Sequence, residues 1–182
     1  MEQQIAELTK SGAMLGTIQL EIFYWWCTAI MFLIHAGFLA YEMGASRAKN
    51  VLASGVKNIL AFAFIVPTFF FFGWWIYLAF PNGFIPVEAG NAGLPWAQDM
   101  GPNLKDNATG VFWAAFVLFA ATTASIFSGA VIERIRVSAF VILAITLGSG
   151  AWILAASWGW HPEGWLLTKF GYHDVGCADI IH

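Results

Sequence analysis

The sequence predicts an all-α membrane protein, a helical bundle of four transmembrane helices followed by the start of a fifth. Hydrophobic residues make up 59% of the 182 residues and charged residues only 10%, which leaves too few polar side chains to cover a water-soluble protein. The apolar residues form four runs of about 20 residues each, and a helix of that length crosses a hydrocarbon core about 30 Å thick. We expect one domain over 1–182, with helices at about 22–42, 57–80, 109–132 and 137–158 and a fifth starting near 174.

The first run, Ile22–Ala40, carries a histidine, His35, at mid-membrane depth. An ionisable side chain there is a candidate for a functional role. The alternative is a neutral imidazole that is hydrogen-bonded to a neighbouring helix. The chain is expected to leave the membrane through the polar segment that begins at Glu42, and residues 1–20 show no signal peptide.

The next three runs differ in their small and helix-breaking residues. The second run, Ile59–Phe80, contains Pro67, which has no N–H to donate and should kink the helix. The third run, Val111–Ile132, is predicted to lie centrally in the bundle, because small residues at spacings of three and four allow close helix contacts. Those residues are Ala120, Ala121, Ala124, Ser125, Ser128 and Gly129. The fourth run is Val137–Trp158, and the 81–110 segment between runs two and three is expected to be an extramembrane loop with four prolines.

Basic residues at the junctions favour one orientation. Five lie between runs one and two or between runs three and four: Arg47, Lys49, Lys57, Arg134 and Arg136. The other side carries three, diluted by acidic residues: Lys10, Lys105 and Lys169. The positive-inside rule therefore predicts that the N-terminus lies outside. We expect a multi-pass integral protein of the cell (inner) membrane.

Several function classes are disfavoured. A net charge of -3, scattered along the chain, gives no footprint for nucleic acid. The sequence shows no nucleophile–base pair, metal-ligand spacing or phosphate-binding loop, so we expect neither an enzyme nor a cofactor or metal. Membrane lipid is an expected partner.

The strongest chemical signal lies after the fourth run. Asp174 stands where a helix would start, and an aspartate there accepts free backbone N–H groups. Asp179 and His182 follow three residues apart and would share a helix face. They could line a pore or site, or they could be a juxtamembrane pair in contact with water, and their spacing leaves both interpretations open.

Three stretches resemble the ammonium transporter (Amt/Mep/Rh) family, in the order in which that family has them. The first runs from Ala36-Gly37-Phe38 through Glu42-Met43-Gly44 to Arg47-Ala48-Lys49-Asn50. The second comprises Phe127-Ser128-Gly129-Ala130 and Glu133-Arg134-Ile135-Arg136-Val137-Ser138-Ala139. The third comprises Trp160, Gly164-Trp165-Leu166, Asp174 and His182.

The resemblance implies a role for each matched residue. Trp160 corresponds to an external tryptophan that holds ammonium against its ring, and Phe119 to a phenylalanine that closes the mouth below. Asp174 corresponds to an aspartate that shapes the site without touching the ion, and His182 to the first of two pore histidines. In the implied mechanism ammonium is bound, stripped of water and deprotonated, and ammonia then crosses an apolar tunnel.

The resemblance also implies an assembly that this chain only begins. The family fold has two inverted five-helix halves around one pore, with three subunits in the assembly. The chain matches the N-terminal half, so we expect a homotrimer if a second half completes it, or association with other membrane subunits. Asp179 stands where a small or hydroxylated residue is usual, and His35 near a position often held by glutamine.

The departures leave three functions open. The first is ammonium/ammonia transport that needs the missing second half. The second is a degenerate half-transporter that acts as a structural subunit of a larger membrane complex. The third is an ammonium-sensing domain, favoured by Asp179, because a carboxylate one turn from the pore histidine should hold a cation or proton instead of passing it quickly.

Overall fold

The computed structural model describes residues 2–87 and 107–181, which are helical with short connections and contain no strand. Four helical spans in these ranges are long and apolar enough to cross a membrane: span 1 (Glu2–Ala45), span 2 (Ala48–Ala79), span 3 (Val111–Ala130) and span 4 (Val137–Gly159). The predicted fold class, an all-α membrane helical bundle, is confirmed. His182 and most of the predicted 81–110 loop lie outside the described residues.

The spans are built from six helices. Span 1 is α1 (Glu2–Ala45). Span 2 contains α2 (Val51–Thr68), a π-helical turn (Phe69–Gly73) and α3 (Trp74–Ala79). Span 3 belongs to α4 (Asn107–Ala130). Span 4 contains α5 (Val137–Thr146), a second π-helical turn (Leu147–Ala151) and α6 (Trp152–Gly159). Two short helices follow, α7 (Trp165–Phe170) and α8 (Ala178–Ile181).

Helix α1 begins much earlier than the apolar run predicts. It starts at Glu2, and its 44 residues correspond to a length of about 66 Å. The segment before Ile22 has no proline, so nothing interrupts the helix there. Only Met31 and Glu42 of α1 are buried, and most of the helix presents large apolar side chains on the surface.

Span 3 is the most buried of the four, as its small residues predict. Buried residues make up 56% of its most apolar window, compared with 39% in span 4 and 6% in span 1. Ala120, Ala124 and Ser128 are fully buried along one face of α4. A Cβ atom on Gly148 would lie 2.9 Å from the carbonyl oxygen of Ala120, so span 4 packs with its backbone directly against α4. The central position of this helix is confirmed.

The two π-helical turns face each other across the bundle. The first begins two residues after Pro67, so the proline marks the irregular part of span 2. The second belongs to span 4, and the hydroxyl oxygens of Thr68 and Ser149 lie 2.9 Å apart between them. This hydroxyl contact joins spans 2 and 4 near the middle of span 4.

Each end of the bundle is tied by loop contacts. At one end the Arg47 side chain and backbone N–H both donate to the Glu133 carboxylate, at 2.6 Å each. At the other end the backbone N–H of Trp165 donates to the backbone carbonyl of Pro81 at 2.9 Å. The sequence places Lys57 among the basic residues at the end of the bundle that carries Arg47. Lys57 is only 4% exposed, however, and forms an ion pair with Glu42. It therefore contributes no free flanking charge.

Candidate functional site

The end of the bundle that carries Trp160 contains a cavity of about 560 Å³, which we call the aromatic cavity. Seven of its eleven lining residues are aromatic: Tyr24, Trp74, Tyr77, Phe112, Phe116, Phe119 and Trp160. They come from α1, α3 and α4 and from the residue that ends α6, so the packing of four helices defines the cavity.

The structure brings Trp160 and Phe119 together, as the resemblance implies. Their ring centroids are 5.9 Å apart in an edge-to-face arrangement. Phe116 and Trp152 also pack against Trp160, with centroids at 6.0 and 5.9 Å. The indole ring is therefore fixed by three neighbouring rings and remains only partly buried, with one side available to the cavity.

Asp174 orients the Trp160 ring through a hydrogen bond at the indole N–H. The indole N–H of Trp160 donates to the Asp174 carboxylate at 2.9 Å. The same carboxylate accepts the backbone N–H groups of Asp179 at 3.0 Å and Ile180 at 3.2 Å, so Asp174 binds free N–H groups in the first turn of α8, although this helix begins at Ala178 and not near 174 as expected. Burial raises the pKa of Asp174, but these hydrogen bonds outweigh it and hold the pKa below its ordinary value. The carboxylate is thus charged at neutral pH.

His161 lines the same cavity and adds no positive charge that would oppose a cation there. Burial lowers the pKa of His161, although Glu163 nearby opposes the shift. The imidazole is therefore neutral near pH 7 and does not repel a positive ligand. Its Nδ1 accepts the backbone N–H of Glu163 at 3.1 Å, which fixes the ring orientation.

Asp179 does not line the aromatic cavity. Its side chain is exposed, and one carboxylate oxygen accepts a hydrogen bond from the Tyr172 hydroxyl at 3.4 Å. Its expected neighbour His182 lies outside the described residues. Of the five residues singled out from the sequence, the structure thus brings three together: Phe119, Trp160 and Asp174.

The chemistry of the cavity suits a weakly hydrated cation. Aromatic faces attract a cation electrostatically, and the Asp174 carboxylate behind the Trp160 N–H makes that ring richer in electron density. No His, Cys, Asp or Glu group that could hold a metal ion is found in the part of the chain that the structure describes.

Comparison with known proteins identifies the family of the chain. The profile of the Ammonium Transporter Family matches residues 22–182.

The chain belongs to the ammonium transporter family.

Curated relatives show how far the likeness extends. The chain is similar to the ammonium transporter Amt1 of Methanocaldococcus jannaschii, at 28% identity over 88% of this chain and 37% of that protein. It is 30% identical to the ammonium transporter Amt2 of Haloferax mediterranei, over 85% of this chain and 33% of that protein. Ammonium transporter 2 of Schizosaccharomyces pombe is 29% identical over 81% of this chain and 29% of its own length. The chain therefore spans about a third of the curated relatives that it matches, and no solved structure matches it.

The sequence analysis did not identify most of the aromatic residues that line the aromatic cavity. Phe112, Phe116 and Phe119 stand at positions i, i+4 and i+7 of α4, a spacing that places them on one helix face and could have revealed the wall. Tyr24, Trp74 and Tyr77 come from other helices, and no spacing in the sequence links them to that face.

This family member also contains a buried polar cluster, which we define as Glu42, Lys57, Asn58 and Ser128. One oxygen of Glu42, Oε2, accepts hydrogen bonds from Asn58 and Ser128 at 2.8 Å each and lies 3.1 Å from the Lys57 ammonium. The other oxygen, Oε1, has no partner. The sequence led us to expect Glu42 at the exit from the membrane, but the side chain is 1% exposed and joins three helices.

Proposed function

We propose that the protein takes part in ammonium transport, with the aromatic cavity as the external entrance where ammonium binds against the Trp160 ring. The observation that carries this proposal is the Trp160 indole, which Phe119 packs against and the Asp174 carboxylate orients, in a member of the ammonium transporter family. Cation–π attraction at such a ring is worth about 0.5–2 kcal/mol, which suits a ligand that must be captured and then released inward.

The passage beyond Trp160 requires the cation to lose its charge. Moving an intact cation into an apolar tunnel costs several kcal/mol or more, because its hydration is not replaced. Ammonia is neutral and avoids this cost. We therefore propose that ammonium is deprotonated below the entrance, that Phe119 closes the mouth there, and that His182 acts as the first pore histidine.

The orientation and the assembly belong to the same proposal. The Trp160 end is external and the N-terminus outside, since Arg47, Arg134 and Arg136 lie towards the opposite end. The membrane is the cell (inner) membrane. Because the chain spans about a third of its relatives, transport is proposed for the complete transporter to which these helices contribute, with three subunits as the resemblance implies.

The direct test is uptake of [14C]methylammonium by liposomes that contain the full protein as it is isolated from its native membrane. We expect uptake above that of protein-free liposomes, and we expect an excess of unlabelled ammonium to suppress it. Uptake equal to that of protein-free liposomes would instead support a structural subunit.

Asp179 favours a second candidate function, an ammonium-sensing domain. Its exposed carboxylate lies three residues before His182 and could hold a proton or cation near the pore. We expect Asp179→Thr to take up methylammonium several times faster than the parent in the same liposomes, because the added carboxylate no longer retains the ion. Equal initial rates for the two proteins would end the sensor hypothesis.

A further inference from the structure

The wall of the aromatic cavity contains a histidine ring. His161 lines the cavity directly after Trp160, and its ring packs against Tyr77 in an edge-to-face arrangement with the centroids 5.2 Å apart. Histidine is the side chain whose ordinary pKa lies closest to neutral pH. A proton gained by His161 therefore adds a positive charge to the wall of the proposed ammonium entrance.

The local structure around His161 favours the neutral ring. His161 Nδ1 accepts the backbone N–H of Glu163 at 3.1 Å, and a ring nitrogen can accept a hydrogen bond only while it carries no hydrogen. The neutral ring that makes this bond has its hydrogen on Nε2. Protonation places a second hydrogen on Nδ1, so that two N–H groups point at each other and the bond is lost.

The turn that presents the Glu163 N–H is held rigidly. The Gly164 N–H donates to the His161 carbonyl at 2.8 Å and closes the turn. A Cβ atom on Gly164 would overlap the carbonyl oxygen of Trp158, so the backbone there packs directly against the end of α6. The ring of Pro162 fixes one of the intervening φ angles. Because the turn has little room to move, the imidazole ring itself must rotate when the bond is lost.

No other group that lines the cavity from the described residues takes up a proton between neutral and moderately acid pH. Burial lowers the pKa of His161, and the Glu163 carboxylate opposes this shift without cancelling it. The titratable residues that share the cavity from other elements are Tyr24, Tyr77 and Cys177. Phenols and thiols are neutral below pH 7. Asp174, which orients Trp160, stays charged because its hydrogen bonds hold its pKa below the ordinary value.

We propose that His161 is a proton-sensitive gate of the ammonium entrance: the neutral ring admits a cation, and the protonated ring excludes it. The protonated ring repels ammonium within the same cavity, and it leaves the orientation that the Glu163 N–H fixes. This inference rests on the proposed function and adds its regulation. Capture of ammonium should weaken as the pH falls, and at a more acid pH than an ordinary histidine would give.

The coupling between the proton and the cation is reciprocal. If protonation of His161 weakens binding of the cation by a given factor, the bound cation weakens protonation of His161 by the same factor. The gate can therefore be measured from both sides, by uptake of the cation and by titration of the histidine.

The uptake experiment determines the half-saturating [14C]methylammonium concentration for the full protein in liposomes. The pH is equal on both sides and is varied from about 8 to about 4.5. The concentration should rise about tenfold or more towards the acid end for the parent. It should stay nearly constant for His161→Gln, whose amide takes no proton and still offers an oxygen to the Glu163 N–H. His173→Gln is the matched control and should behave as the parent, because His173 is exposed and does not line the cavity.

The titration experiment needs no transport and no variant fold. Nitrogen NMR of labelled histidines in the full protein, in nanodiscs, follows the protonation of His161, whose signal is identified by its absence in His161→Gln. Saturating methylammonium should lower the midpoint of this titration by about one pH unit, which corresponds to tenfold coupling. Sodium chloride at the same ionic strength should leave the midpoint unchanged.

The outcomes separate the gate from transport itself. An acid response of uptake that His161→Gln abolishes, together with the lowered midpoint, supports the gate. If the protein transports but the parent and His161→Gln respond equally to acid, or methylammonium leaves the midpoint unchanged, the gate is rejected and transport stands. If the parent takes up no methylammonium while the midpoint still falls, the transport proposal fails, and the coupling of His161 to the bound cation stands. Absence of both effects overturns both proposals.

Discussion

Replacement of Glu42 with alanine is expected to lower the free energy of unfolding by about 3–5 kcal/mol. The substitution leaves the Lys57 ammonium, which is 4% exposed, without the carboxylate that lies 3.1 Å from it. It also removes the shared acceptor of Asn58 and Ser128. An unpaired buried charge costs far more than the pair contributes.

A double variant separates the unpaired charge from the lost packing. Glu42→Leu combined with Lys57→Met removes both charges, so it should recover most of the stability that either single variant loses. Glu133→Ala breaks the ion pair with Arg47 at the bundle end, where Arg47 is exposed, and should cost much less. Denaturant unfolding in lipid or detergent gives the comparison. If the double variant is as unstable as the sum of the two singles, the cluster is not held by charge pairing.

Replacement of Asp174 with alanine is expected to reduce methylammonium uptake by about tenfold or more, because it removes hydrogen bonds to a charged acceptor. The Trp160 indole would lose the bond that orients it, and α8 would lose its N-terminal cap, a change worth about 1–2 kcal/mol. Asp174→Asn is the matched control, since it keeps a carbonyl oxygen for the cap and loses the charge. We expect it to fall between the parent and Asp174→Ala.

The pH dependence follows from the same carboxylate. The pKa of Asp174 lies below its ordinary value, because the hydrogen bonds outweigh the effect of burial. Its contribution to stability is therefore present above the pKa of the unfolded chain and is lost as the pH falls through the lower, folded value. Near neutral pH the contribution should stay constant.

Uptake by Asp174→Ala that equals the parent would contradict the role of this residue in holding Trp160.

The sequence predicted the fold well because the bilayer restricts the choices. Length and apolarity alone predicted the four helices that could cross a membrane, and the small residues of α4 identified the central helix, but span 2 begins at Ala48, well before the predicted start at about 57. The start of α1 was not predicted, because helix formation continues through the polar residues before Ile22 and hydropathy does not register it. Asp174 could be predicted to accept helix N–H groups, but the start of α8 at Ala178 could not, because a 3-10 turn at Val175–Cys177 separates the two.

The candidate site was only partly predictable. The resemblance indicated Trp160, Phe119 and Asp174, and the structure places these side chains in contact. The buried polar cluster joins Glu42 to Asn58 and to Ser128, which are 16 and 86 residues away. No periodicity in one helix predicts contacts of that kind, because they depend on how α1, α2 and α4 are aligned along their axes.

The central claim is that ammonium enters against the Trp160 ring, and the half-saturating methylammonium concentration for uptake tests it most directly. Trp160→Leu is compared with Trp26→Leu, which changes a tryptophan that is 68% exposed on α1 and outside the aromatic cavity. Loss of the cation–π contact should raise the half-saturating concentration between about twofold and thirtyfold in Trp160→Leu, while Trp26→Leu behaves as the parent. An unchanged concentration and rate in Trp160→Leu would contradict the account.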